Sequence, residues 1–144
     1  MKILSYNKTL TPSEAYTHIK LPFEINEKYN SLIIKFSYEP KTLADKRQAI
    51  LLVEQGLAKC GEPIEGASGY LPVNNLITIS LDSPAGYIGA AHRHANKQEH
   101  KISVDYADKG FIRSEIVPGK WCVVISAHYI ASSKVNVALE VCGE

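Results

Sequence analysis

The chain has 144 residues, 45% of them apolar and 22% charged, and its sixteen basic side chains nearly balance fifteen acidic ones. That length fits one domain, residues 1–144, able to bury roughly 68–70% of the surface its unfolded chain would expose, and the composition excludes intrinsic disorder. A formal charge of +1 excludes a general electrostatic attraction to nucleic acid or to an anionic membrane.

The opening residues, Met1 to Lys8, carry neither the apolar stretch nor the small-residue cleavage site of a secretory signal, and no apolar run approaches membrane-spanning length. The three cysteines, Cys60, Cys122 and Cys142, are widely spaced and form no Cys-x-x-Cys. Neither a zinc ribbon nor a redox pair is implied. Reduced thiols in a cytoplasmic protein are the expectation.

In chain order, Ile3–Tyr6 and His18–Phe23 read as short strands, with Pro22 marking an edge or a bend. Residues 32, 34, 36 and 38 are apolar or aromatic while 35 and 37 are polar, the period of a strand with one buried face. From Thr42 to Cys60 the pattern changes. Leu43, Ala44, Ala49, Ile50, Leu52, Val53 and Leu57 recur at helical offsets, Thr42 and Asp45 suggest a weak capping box, and Gly61 offers a stop. One amphipathic helix at about 42–60, lying over a sheet face or an open end, is predicted. Residues 61–72 read as a loop.

Ile77–Asp82 alternates completely, and Ser83-Pro84-Ala85-Gly86 supplies hairpin chemistry. Ile102, Val104 and Tyr106 alternate with Ser103 and Asp105, as do Val135–Val141 near the end of the chain. Between them, Trp121–Tyr129 contains the unbroken apolar run Cys122–Ile125, suggesting a central strand covered on both faces. The fold class expected is mainly β: an antiparallel β-sandwich, jelly-roll-like, with one inserted helix.

Candidate chemistry is sparse. His92-Arg93-His94, with His100 six residues on, contains a His-x-His pair whose imidazoles would share one face of a strand and could bind a metal. The surrounding sequence reads as turn-like, and the competing expectation is a solvated loop. Tyr70 and Tyr87 fall in loop contexts and, with Arg93, form a candidate ligand or carbohydrate platform. Tyr38, Tyr106, Tyr129 and Trp121 fall in strands, where core packing is expected. No Gly-x-Ser-x-Gly elbow and no phosphate-binding loop is present, and Gly86–Gly89 is too short for a dinucleotide fingerprint. No catalytic set and no cofactor is implied.

Three stretches carry a resemblance: Leu21–Ile25 followed by Leu32–Pro40, ending in Tyr-x-Pro; the Ile77–Gly89 hairpin with its Asp, Pro and glycines; and the Pro118-Gly119-Lys120-Trp121 turn. In this order, over about 120 residues, they resemble the N-terminal β-sandwich of PHP-type metallohydrolases of the CehA/McbA kind, a non-catalytic module that precedes the metal-binding domain. The resemblance implies an accessory domain that pairs with itself or with a separately encoded metallohydrolase. It transfers no catalytic residue. His92-Arg93-His94 stands inside the sandwich region, where the family has a small-residue, Arg-bearing loop, and the chain ends at Glu144, where the family's catalytic domain would begin. The expected function is therefore a non-catalytic accessory or interaction domain. A small-ligand or carbohydrate-binding module is the alternative, and a metal-dependent hydrolase built on the histidines a third.

Overall fold

A computed structural model describes residues 1–91 and 94–144; His92 and Arg93 lie outside the described residues. Strands β1 (Lys2–Leu10), β2 (Thr17–Ile25) and β3 (Ser31–Glu39) come first, followed by helix α1 (Lys46–Lys59). Strands β4 (Leu76–Ser83), β5 (Gly86–Ala91), β6 (Lys97–Ser103), β7 (Gly119–Tyr129) and β8 (Val135–Gly143) complete the set, with short 3-10 turns at Pro12–Glu14 and Ala67–Tyr70.

The strands form two four-stranded antiparallel sheets, ordered β1-β8-β3-β6 and β2-β7-β4-β5. The sequence expectation of a mainly β sandwich with one inserted helix holds. The pairings have a simple order. β4 pairs with β5, β3 with β6, β2 with β7 and β1 with β8. The chain is thus one long antiparallel ribbon, doubled back at Pro84–Ala85 and closed by two further ladders, β3–β8 and β4–β7. At its apex the Ser83 hydroxyl accepts from the Ala85 N–H (3.2 Å) and donates to the Gly86 carbonyl (3.1 Å).

Alternation sorts each strand into two faces. Leu32, Ile34, Phe36 and Tyr38 of β3 and Val135, Val137, Leu139 and Val141 of β8 point inward, against Ile77, Ile79 and Leu81 of β4 and Trp121, Val123, Ile125 and Ala127 of β7. Trp121 anchors one end of this core, its indole N–H donating to the Val117 carbonyl at 3.0 Å. These residues fill the space between the sheets. At roughly 1.5–3 kcal/mol per buried aliphatic or aromatic side chain, this layer is the main source of stability. The run Cys122–Ile125 belongs to a central strand, as expected; its outward residues Cys122 and Val124 are half-buried.

Three local expectations need correction. The helix starts at Lys46, not Thr42, because the Asp45 carboxylate accepts from the Arg47 and Gln48 N–H groups (3.0 and 3.2 Å), while the Thr42 hydroxyl is drawn away to Asn74 Oδ1 (2.7 Å). Of the two placements expected for the helix, over a sheet face or an open end, the sheet face fails: its substantial packing partner is the Ala67–Tyr70 turn, and among its residues Ala49 alone is buried. The alternation Ile102–Val104–Tyr106 does not continue as strand. β6 ends at Ser103, and Val104 and Tyr106 are 63% and 49% exposed, because the chain turns back so that Tyr106 and Asp108 bond to β6.

The helix sits on an excursion pinched at its neck. The Leu43 N–H donates to Val73 (2.9 Å) and the Asn75 N–H to Lys41 (2.8 Å), with an isolated bridge between Thr42 and Asn74. Asn75, 1% exposed, seals this neck. Its amide NH₂ donates to the Pro40 carbonyl and the Ser132 hydroxyl (both 2.9 Å), and its Oδ1 accepts from the N–H groups of Ala131 (2.7 Å) and Ser132 (3.1 Å). Replacing Asn75 with Ala strands two buried N–H donors and one carbonyl, so Asn75→Ala is expected to lower global unfolding free energy by about 3 kcal/mol or more in urea titration. Asp45→Ala removes only a helix cap on the excursion. Hydrogen exchange should quicken across α1 while the global transition moves by no more than about 1 kcal/mol.

Candidate functional site

The sequence candidates do not converge. His100 lies on β6 with its side chain inward and is 2% exposed; the expectation of a solvated loop histidine fails there because β6 begins at Lys97. Its Nε2 lies 2.8 Å from Gln98 Oε1, its Nδ1 3.7 Å from Asp108 Oδ2, and its ring packs on Phe111 at 5.2 Å. His94 is exposed in the segment before β6. His92 and Arg93 lie outside the described residues. Among the described residues, no group of three or more His, Cys, Asp and Glu side chains is placed to hold a metal ion.

Tyr70 and Tyr87 are exposed, 63% and 58%, but the loop expected for Tyr87 is a strand: it lies on β5, paired with Asp82, while Tyr70 ends the Ala67–Tyr70 turn. They belong to different ends of the sandwich. Tyr70 sits on the helical excursion, whose neck joins β4 at its Leu76 end, and Tyr87 stands opposite Asp82, near the Ser83 end. An eight-residue strand such as β4 spans roughly 25 Å. Of the strand tyrosines, Tyr38 is fully buried and Tyr129 half-buried, while Tyr106 is the exposed exception already described.

Two polar arrangements emerge that the sequence did not mark. On the outer face of β2-β7-β4-β5, His18 Nδ1 lies 2.8 Å from the Ser126 hydroxyl, and the Thr78 hydroxyl lies 2.7 Å from His128 Nε2. Ser126 and Thr78 are cross-strand neighbours. Such imidazole–hydroxyl pairs could suggest a nucleophile. However, β7 and β4 are both central strands, and the backbone N–H groups that an oxyanion would need are committed to the ladders on either side. The pairs serve as cross-strand contacts. The outer face of the other sheet carries an open, shallow depression of about 530 Å³. Its rows run Ser5, Glu140, Lys35, Glu99 and Asn7, Ala138, Ser37, Lys97 across four strands. Hydrogen bonding from the Cys142 thiol, then the nearby Lys2, holds the Glu140 carboxyl below the usual range.

The third arrangement concerns strand edges. The segment after β6 covers the outer edges of both sheets on one side. Against β6, the Ser103 N–H donates to Tyr106 (2.7 Å), the Lys101 N–H to the Asp108 carboxylate (2.8 Å), and the Asp108 N–H back to Lys101 (3.1 Å). Against β5, the Ala90 N–H donates to Gly110 (3.2 Å) and the Ile112 N–H to Ile88 (2.8 Å). The approach is close enough that glycine is required on both sides: a Cβ on Gly89 would strike the Gly110 carbonyl, and one on Gly110 the Ala90 carbonyl. On the opposite side, among the described residues, β1 pairs with β8 alone and β2 with β7 alone. There Leu4, Tyr6, Ile19 and Leu21 pack against the core yet stay half-exposed.

Comparison with known proteins adds no assignment: no family model matches the chain, and no curated protein matches it either. Among the described residues, no helix is long and apolar enough to cross a membrane.

Two outcomes test this description. Asp108→Ala removes the carboxylate that ties the covering segment to Lys101 and faces His100, so limited proteolysis should cut residues 104–114 faster than in the parent chain. The free thiols should also separate by reactivity. Burial, then the Glu140 hydrogen bond, push the Cys142 thiol above its usual range, and Cys60 is exposed. At pH 8, iodoacetamide should label Cys60 well before Cys142, as read by peptide mass.

Proposed function

We propose that this chain is a non-catalytic interaction domain that binds a protein partner along the free edge of β1. The observation that carries this reading is the unequal treatment of the edges. One side is sealed on both sheets by the segment after β6, through backbone bonds and two glycine contacts. The other side leaves a nine-residue strand paired on one flank only. An unprotected edge is a template for an added strand: main-chain hydrogen bonds supply affinity, and alternate side chains supply selectivity. β2 is less suited, since Pro22 in its middle has no N–H to offer.

The architecture supports the same reading. The order β1-β8-β3-β6 over β2-β7-β4-β5 is what a rolled-up eight-strand ribbon produces, and we read it as a jelly roll. Its interior is occupied by Phe36, Tyr38 and Trp121, which favours a reading in which binding uses a surface or an edge. The resemblance of the Leu21–Pro40, Ile77–Gly89 and Pro118–Trp121 stretches to the accessory sandwich of PHP-type metallohydrolases suggests two partners, a second copy of the chain or a separately encoded enzyme of that class. Reduced thiols fit a cytoplasmic setting. The depression on the outer face of β1-β8-β3-β6 favours a second reading, a small polar ligand. Its lining of lysines and glutamates includes no exposed aromatic ring.

The test is to mix the chain with a PHP-type metallohydrolase encoded in the same genome, and to follow it alone over a range of concentrations. Binding in either setting should slow hydrogen exchange along β1 and leave β5 and β6 unchanged. Protection confined to the Glu140–Lys35 depression would instead favour the ligand-binding face, and exchange unaltered everywhere would defeat the interaction reading.

A further inference from the structure

We infer that β1 pairs antiparallel with β1 of a second copy, about a two-fold axis at Ser5, fusing two β1-β8-β3-β6 sheets into one of eight strands. This inference rests on the interaction reading above and names its partner. It starts from the two faces of β1. Leu4 and Tyr6, opposite the inward Val141 and Leu139 of β8, face the core side; Ser5 and Asn7, opposite Glu140 and Ala138, face outward. An isologous pair must keep like faces together, so only registers that shift by two residues are available.

Three such registers use the middle of the strand. Centring on Tyr6 sets Leu4 against Lys8 of the second copy, an apolar side chain against a charge. Centring on Leu4 puts the irregularity between Lys2 and Leu4 beside the axis rather than at the ends of the ladder, and sets Tyr6 against Lys2. Centring on Ser5 sets Leu4 against Tyr6 and Tyr6 against Leu4. Four half-exposed apolar side chains then close over the open flank of both cores, where Ile19 and Leu21 also stand half-exposed. β1 is therefore complementary to itself in one register.

Charge permits this pairing. At its ends this register brings Lys2 toward Lys8 of the second copy, but each lysine already has a carboxylate within its own copy, Lys2 from Glu140 at 3.4 Å and Lys8 from Glu14 at 3.2 Å, and no charged residue lies between Ile3 and Asn7. The contact is a single short ladder. Its area falls toward the small end of specific interfaces, below roughly 1,200 Å², so the dimer should dissociate on dilution.

The register makes the test specific. Residues directly opposite in an antiparallel ladder have Cα atoms about 4.5–5.5 Å apart, within disulfide reach. Ser5→Cys in a Cys60→Ser background should give a disulfide-linked dimer under mild oxidation, whereas Asn7→Cys, which would face Ile3 of the second copy, should not. In light scattering the parent chain should be dimeric at high concentration and monomeric when dilute. Ser5→Lys, an exposed position that sets two ammonium groups together at the axis, should be monomeric throughout with unchanged monomer unfolding. A parent chain that stays monomeric at millimolar concentration, or equal cross-linking of the two cysteine variants, overturns the pairing. If such a monomer still bound a metallohydrolase through β1, self-pairing alone would fall. A monomer with no complex would sink both readings.

Discussion

The Asn75 side chain stands where three separate stretches of chain meet, and the rest of the architecture depends on that junction. Its two amide hydrogens and its carbonyl oxygen are spent on Pro40, on Ala131 and on Ser132 twice. Pro40 follows β3 and Asn75 precedes β4, while Ala131 and Ser132 connect β7 to β8. β3 and β8 belong to one sheet, β4 and β7 to the other. One buried amide therefore ties the two sheets together at one end and closes the neck of the excursion that carries α1. Glutamine would need room for a further methylene, and aspartate could not donate to the Pro40 carbonyl. Only the asparagine amide supplies two donors and two acceptor positions from so short a stem.

That closure explains how a 14-residue helix can be inserted in a sandwich without disturbing it. The chain leaves and re-enters at one hydrogen-bonded neck, so the excursion behaves as an appendage whose apolar residues, Leu52, Val53 and Leu57, reach only half-burial. The sheets need nothing from it. Their own closure comes from the β3–β8 and β4–β7 ladders, which turn a long ribbon into two layers and fix which strands become edges. Once those ladders form, β5 and β6 end one side and β1 and β2 the other. The covering segment after β6 can reach only the first pair.

What could be read in the sequence follows from the range of each signal. Period-two alternation located β3, β4 and β8, because each is lined by a core on one side, while the unbroken apolar run Cys122–Ile125 located β7 as a central strand but overstated how far its outer face is covered. The Ser83–Gly86 apex, the Trp121 anchor and the edge character of β2 at Pro22 were equally legible, being matters of local turn, packing and donor chemistry. The helix was legible in kind but not at its start, because Thr42 is claimed by Asn74, thirty-two residues away. Tyr106 misled because its alternation with Ile102 is real, yet the chain reverses at Val104 to bond back onto β6. His100 was misplaced for the same kind of reason: β6 is too rich in charge for an alternating pattern to stand out, although its inward positions are Gln98, His100 and Ile102. Asn75 carries no mark of its role in the sequence. Nothing local distinguishes an asparagine that merely ends a loop from one that bonds to residues 131 and 132.

The edges were the least legible feature, and they bear most directly on the proposed function. Whether a strand is central or peripheral depends on which long-range ladders close, and a sequence that alternates cleanly says only which face is buried. The same is true of chemistry. His18, Ser126, Thr78 and His128 form close imidazole–hydroxyl pairs, yet both hydroxyls, Ser126 on β7 and Thr78 on β4, lie on central strands whose backbone donors are consumed by neighbours, so the groups beside them that would stabilise a developing charge are already engaged. β1 presents the opposite case, with unremarkable side chains but a backbone whose outer flank pairs with no other strand. In a sandwich with a filled interior, unspent hydrogen-bonding capacity collects at the edges. On this fold the covering segment leaves that capacity along β1, and there the half-exposed Leu4 and Tyr6 add apolar surface to it.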